Sequence, residues 1–221
     1  MSSIQEELGM ILAKAKPMEL GALAEILKAE SLRPDHIVEA FWWNCQSVFG
    51  YMGGSEPSYS QIVCQVAEKL GIEHFGMKVE DLEVEIARKV FQTVWDKMTP
   101  EQRMAMEAEL RRAAQEFDKG GALAGSTSIF TALTAAQLSG FGIYLLASTA
   151  LGTLTGVIGV TLPFAVYTTM SSAIAVIIGP VGWIGAGIFA IWKLTGANYK
   201  RLIPAILYVS ALRAKQQGNF S

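Results

Sequence analysis

From Gly120 to Trp192 the chain runs for 73 consecutive positions without an Asp, Glu, Lys, Arg or His. Few features constrain a fold more. A helix at the surface of a globular protein shows a charged face within about 20 residues. A membrane helix needs about 20 mostly apolar residues. The block therefore has room for two spans and part of a third, and whatever it folds into must be buried, in lipid or in protein.

The charge around the block is divided. All 20 acids of the 221-residue chain lie between Glu6 and Asp118, so residues 1–119, with 13 Lys and Arg, carry a net −7. Residues 120–221 hold no acid and five bases, a net +5. Such asymmetry suggests a membrane or polyanion partner for one half. Charged residues make up 17% of the chain and mean hydropathy is +0.32. That excludes a disordered chain, and two cysteines exclude a disulfide scaffold. The start, Met1-Ser2-Ser3-Ile4-Gln5-Glu6-Glu7, has acids where a signal peptide needs bases. Residues 1–119 are expected to stay on the side of synthesis, with both thiols reduced.

The acidic half reads as amphipathic helices. Ile4, Leu8, Ile11 and Leu12 form one stripe. Leu20, Leu23, Ile26 and Leu27 form a second, after Pro17. Ile37, Phe41, Trp42, Cys45, Val48 and Phe49 form a third. Ile62, Val63, Val66, Ala67 and Leu70 form a fourth, stopped by Gly71. Val79, Leu82, Ile86, Val90, Val94 and Met98 form the longest, widened by Phe91 and Trp95. This is the i, i+3, i+4, i+7 helical template. Thr99-Pro100-Glu101-Gln102 reads as a capping box that opens a helix bearing Met106, Leu110, Ala113 and Phe117. Gly50 to Pro57 reads as a loop.

Inside the block, glycine and proline are the punctuation. Two stretches, about Ile129–Ala150 and Val157–Ile178, are each long enough to span a bilayer, with the turn between them at Leu151–Gly156. The residues expected to contact the membrane are Ile143, Leu145, Leu146, Val157, Ile158, Phe164, Ile174, Ile177, Trp183 and Trp192. Val181 to Trp192 is too short to span and reads as a re-entrant or interfacial segment. Asn198 to Lys215 reads as a basic amphipathic helix with apolar Leu202, Ile203, Ile206, Val209 and Leu212. Lys193, Lys200, Arg201, Arg213 and Lys215 are the bases expected on an anionic membrane surface. Basic flanks on both sides of the block favour an even number of crossings and cytoplasmic termini.

No chemistry stands out. Gly185-Ala-Gly187-Ile-Phe-Ala190 fits a dinucleotide fingerprint only by its letters, since no acid follows it. His36, His74, Cys45 and Cys64 lack the close spacing of zinc ligands, and the two cysteines sit on apolar faces as packing residues. There is no nucleophile elbow and no phosphate loop. The carboxylates of residues 79–118 alternate with bases and read as a solvated face. Five bases beside an apolar block make no nucleic-acid stripe. No catalytic, cofactor-binding or metal-binding residue and no cofactor is expected.

The run Asn198-Tyr199-Lys200-Arg201-Leu202-Ile203-Pro204-Ala205-Ile206-Leu207, followed by Leu212-Arg213, resembles the closing motif of the YaaW-like bacterial proteins. Tyr59 to Leu70, Val94-Trp95-Asp96-Lys97-Met98 and Gly179-Pro180-Val181-Gly182 are similar to that family's middle region and its glycine-rich step. The resemblance covers about residues 45–215. It implies membership of a largely uncharacterised family, some of whose members are labelled ubiquinol–cytochrome c chaperone-like, and it carries no catalytic residue. The long uncharged block departs from the family pattern.

The expected fold is all-α: an acidic amphipathic helical domain (1–119), an uncharged hydrophobic helical hairpin (120–192), and a basic helix and tail (193–221). The expected function is non-enzymatic, with the hairpin in the inner membrane and a scaffold, assembly or remodelling role. Its partners would be lipid of an anionic leaflet and a protein met through the acidic domain, with oligomers allowed and no nucleic acid. Two alternatives stand beside it. One is a conditional inserter, similar in outline to colicin pore-forming domains and Bcl-2-like proteins, with the hairpin sheathed by amphipathic helices. The other is a soluble, cytoplasmic helical protein that binds a lipid or small molecule.

Overall fold

The computed structural model describes residues 3–49, 57–117, 123, 125–135, 137–158 and 199–218. Among these residues it is all-α, with nine helices and no strand. In chain order they are α1 (Ser3–Lys14), α2 (Pro17–Leu27), α3 (Pro34–Phe49), α4 (Tyr59–Lys69), α5 (Val79–Lys97), α6 (Pro100–Phe117), α7 (Ile129–Leu133), α8 (Gly140–Ile158) and α9 (Leu202–Gly218).

The local chemistry explains the boundaries. Pro17 opens α2 at a position whose N–H needs no partner, and Glu19 reaches back to the Lys16 N–H at 2.7 Å. Ser58 and Gln61 form a reciprocal capping box at the start of α4. Gly71, in the left-handed region at φ +71°, closes that helix, and Ile72 N–H returns to the Ala67 carbonyl at 2.9 Å. The capping box at α6 forms as its sequence predicts: Thr99 N–H donates to Gln102, and Gln102 N–H to the Thr99 hydroxyl.

The apolar stripes of the acidic half point inward as far as their side chains are described, and the described part of the uncharged block joins them. One contiguous core runs from Ile4 in α1 to Ala214 in α9. Its centre is the α8–α9 pair. α9 packs most extensively on α8 and also touches α1, α2, α3, α4 and α5. α8 packs on α5 as well as on α9. Aromatic rings seal the block to the acidic helices. Phe130 of α7 stacks on Trp95 of α5 at 4.4 Å between centroids, and Phe141 of α8 faces Phe117 of α6 at 6.2 Å.

This packing overturns the expected bilayer hairpin and, with it, the inner-membrane placement. Among the described residues no helix is long and apolar enough to cross a membrane. The stretch Ile129–Ala150 is not one helix. α7 stops at Leu133, where the Thr134 hydroxyl donates to the Phe130 carbonyl at 2.9 Å, and α8 begins afresh behind Ser139, whose hydroxyl accepts from Gly142 N–H at 3.0 Å. The expected turn at Leu151–Gly156 is absent too, because α8 continues through both glycines to Ile158. Leu145 and Leu146, expected in lipid, are buried in protein, and Ile143 is half-buried. Val157 and Ile158 lie in the last turn of α8. Phe164, Ile174, Ile177, Trp183, Trp192, Lys193, the Gly179-Pro180 step and the Gly185–Ala190 run fall outside the described residues.

Charges from the acidic half tie down the start of the block. The Glu107 carboxylate of α6 accepts from the N–H groups of Ile129 and Phe130 at the N-terminus of α7, where negative charge is favoured. Arg111 donates to the carbonyls of Ser126 and Thr127, and Arg88 to that of Ala135. Glu107→Ala is expected to cost about 1–2 kcal/mol, the usual loss when a charged cap goes and its amide partners are stranded. A lower urea midpoint at unchanged m-value would show it.

Candidate functional site

α9 is not a surface helix. Every residue from Leu202 to Leu212 is buried, and the bases expected on a membrane surface divide accordingly. Lys200 and Arg201, just ahead of the helix, are exposed. Arg213 and Lys215 are turned into the bundle and paired with acids. The physical reason lies in the helix as a whole. Leu207, Tyr208 and Ala211 fill the face opposite the apolar stripe, and a helix apolar all round is buried. Pro204 is tolerated in the first turn, where backbone N–H groups lack intrahelical partners.

Among the described residues, the paired acids make up the most strongly polar site in the core. Arg213 forks onto Glu83 of α5, with Nε to Oε2 at 3.2 Å and Nη2 to Oε1 at 3.0 Å, and its Nη1 reaches Glu80 Oε1 at 3.4 Å. Glu83 is wholly buried, with 0% of its surface exposed. Two residues further along α9, Lys215 Nζ meets Glu19 Oε1 of α2 at 2.8 Å, and Gln216 donates to the Ile11 carbonyl of α1 at 3.0 Å. The end of α9 is thus clasped to three other helices. Cations suit the C-terminal turns of a helix, where backbone carbonyls gather negative charge.

Tyr59, the first residue of α4, completes the site. Its hydroxyl is fully buried beside Glu83 without a hydrogen bond of regular geometry, and burial first, then the neighbouring carboxylate, pushes it well above the phenol range. Burial likewise pushes the Glu83 carboxyl up to about 7. Arg213 pulls the other way, Tyr59 assists it, and Glu80 adds repulsion. The outcome follows from magnitudes: removing a carboxylate from water costs several kcal/mol, which a single guanidinium shared with a second acid does not fully return.

Two further buried polar atoms belong to α8 and α9. Ser148 Oγ and Tyr208 Oη are buried with no hydrogen-bond partner. Burial, then the nearby Glu19 and Tyr144, raises the Tyr208 hydroxyl far above the usual range. By contrast Thr149 and Thr153 satisfy themselves on the Leu145 and Ala150 carbonyls at 2.7 Å each.

The remaining candidates stay apart. Both cysteines are free; burial pushes the Cys45 thiol up to about 12, and Cys64 is half-buried on α4. His36 bonds to Ser31 at 3.0 Å and His74 lies 3.4 Å from Glu68. Among the described residues no group of three or more His, Cys, Asp or Glu side chains could hold a metal ion.

Glu83 and Arg213 escape a reading based on charge spacing, yet a signal for them exists. Val79, Glu83, Ile86 and Val90 are in helical register, and so are Leu202, Ile206, Val209 and Arg213. Each charge sits within an apolar stripe, which is where a buried pair would come from.

The chain is similar to an uncharacterised protein. The UPF0174 protein of Helicobacter pylori strain J99 is 26% identical over 182 residues, covering 81% of this chain and 70% of the relative. No protein-family model matches the chain, and no solved structure does.

Proposed function

We propose that the chain is a non-catalytic helical binding protein that takes a lipid or other mainly apolar small molecule between its amphipathic shell and the α8–α9 core. The observation that carries this reading is two buried hydroxyls without a hydrogen-bond partner, Ser148 Oγ on α8 and Tyr208 Oη on α9, two helices that pack on each other. Buried polar atoms are almost always paired, so two exceptions on a pair of packed helices support a bound polar group. A ligand with an apolar body and a few oxygen atoms matches such a lining. Placement with the YaaW-like proteins belongs to the same proposal. Its support is the run Tyr199–Leu207 with Leu212-Arg213, which forms the approach to α9, its buried first turns and the clasp.

The test is native mass spectrometry of the intact chain, with solvent extraction of the same preparation. A hydrophobic molecule retained in fixed ratio is expected, and its repeated absence would reject the reading. Tyr208→Phe separates binding from folding. Removing a partnerless buried hydroxyl is expected to leave the ligand-free chain as stable or more stable, by about 1 kcal/mol, while ligand retention falls. A variant that loses stability and keeps its ligand would show that the hydroxyl serves the fold alone.

A further inference from the structure

The interior around α8 and α9 can offer a ligand hydrogen bonds but no charge. Positions 120–192, which include α7 and α8, hold no acid, base or histidine, and neither do positions 202–212, the buried part of α9. Among the described residues two charged side chains are buried, Glu19 and Glu83. Each is met by its own base, Glu19 by Lys215 Nζ at 2.8 Å and Glu83 by Arg213 Nη2 at 3.0 Å. A charged ligand group would have to break one of these pairs or stay unpaired away from water. Breaking a buried pair strands its other member, and an isolated ion in apolar surroundings is penalised more heavily than any neutral polar group.

The hydrogen-bonding capacity left over is neutral. The Thr149 and Thr153 hydroxyls already donate to the Leu145 and Ala150 carbonyls. Ser148 Oγ and Tyr208 Oη have no such partner. Each hydroxyl has one proton to give and lone pairs to receive. Tyr208 keeps its proton, because burial and then Glu19 hold the phenol far above its usual range. The same Glu19 carboxylate repels a second negative charge brought beside that ring.

Resting on the binding reading above and narrowing it, we propose that the ligand is an uncharged, oxygen-bearing lipid, an ester or an alcohol, whose oxygens take the hydrogen bonds left open at Ser148 and Tyr208. Ionised lipids of the same length carry a charge that the core cannot pair.

The experiment equilibrates the full chain, delipidated on a hydrophobic resin, at pH 8 with an equimolar mixture of methyl laurate, dodecanol, dodecane, laurate, dodecyl phosphate and dodecylammonium. Free compounds are removed by gel filtration, and those retained are extracted and quantified. The ester or the alcohol is expected to be held on the order of a hundredfold over the three ions. Over dodecane, which has the same apolar body and no oxygen, the preference should be about tenfold. The ester only accepts hydrogen bonds and the alcohol also donates, so whichever is held better names the lipid class. Lowering the pH to 5 should raise retention of laurate, as its carboxyl takes up a proton, and leave the ester and the alcohol unchanged. In Tyr208→Phe and in Ser148→Ala, retention of the ester and the alcohol should fall towards that of dodecane. Retention of any of the ions at or above the level of the ester and the alcohol would overturn the ligand class and leave the binding reading standing. Equal retention of dodecane would overturn the role of the hydroxyls. Retention of none of the six would reject the binding reading itself, and the ligand class with it.

Discussion

Replacing Arg213 by Met is expected to destabilise the chain by about 3–5 kcal/mol at pH 8 and by markedly less at pH 5. The substitution keeps most of the side-chain volume but leaves Glu83 buried without its bidentate partner, and stranding one member of a buried pair carries a penalty of that size. The pH dependence has a definite direction. Without the guanidinium the Glu83 carboxyl rises further above 7, so the folded state at pH 8 must either hold a bare carboxylate or pull a proton from dilute solution. At pH 5 the carboxyl is already neutral when folded, and most of the penalty disappears. Urea denaturation of both proteins at the two pH values measures it. Adding Glu83→Leu is expected to recover most of the loss, since a packed apolar pair often replaces a buried ion pair at little cost. A loss below about 1 kcal/mol at both pH values would mean that Arg213 behaves as a solvated cation, and the clasp would carry no weight.

The all-α class was readable because helical periodicity is a local property. The stripes of α1, α2, α4 and α5, the stop at Gly71 and the Thr99–Gln102 cap each depend on residues within a turn or two. The environment of the uncharged block was not local. An absence of charge predicts burial, but lipid and protein are equally apolar surroundings. What distinguished them was weaker punctuation, Thr134 and Ser139-Gly140, whose hydroxyls end one helix and begin the next where a bilayer span would have continued. The docking charges Glu107, Arg111 and Arg88 looked like surface residues because each makes its bond with backbone 15 to 47 positions away. The buried clasp was hidden for a related reason. Glu83 and Arg213 are 130 positions apart, and each alone resembles one more charge on an amphipathic helix. Only their shared register with apolar stripes set them apart.

α9 gives the sharpest contrast between a helix lying on a surface and a helix at the centre of a bundle. Leu207 stands off the stripe formed by Leu202, Ile206 and Val209, on the side a surface helix would leave in water, yet its exposure is 0%, the same as that of Ile206. Leu207→Ala and Ile206→Ala are therefore expected to cost similar amounts, about 2–5 kcal/mol each, the range for deleting buried methyl groups from a packed core that relaxes only in part. On a surface-lying helix Leu207→Ala would stay within about 0.5 kcal/mol. Thermal or urea melts of the two variants discriminate directly, because the comparison is internal and removes the unfolded-state uncertainty of either value alone. The same geometry limits what the site can do. α9 touches α1, α2, α3, α4, α5 and α8, so any change at the Arg213–Glu83 pair acts on the helix that holds the bundle together. A small free energy spent there, of the size of one hydrogen bond, reaches the whole fold because among the described residues no other helix is packed against so many others.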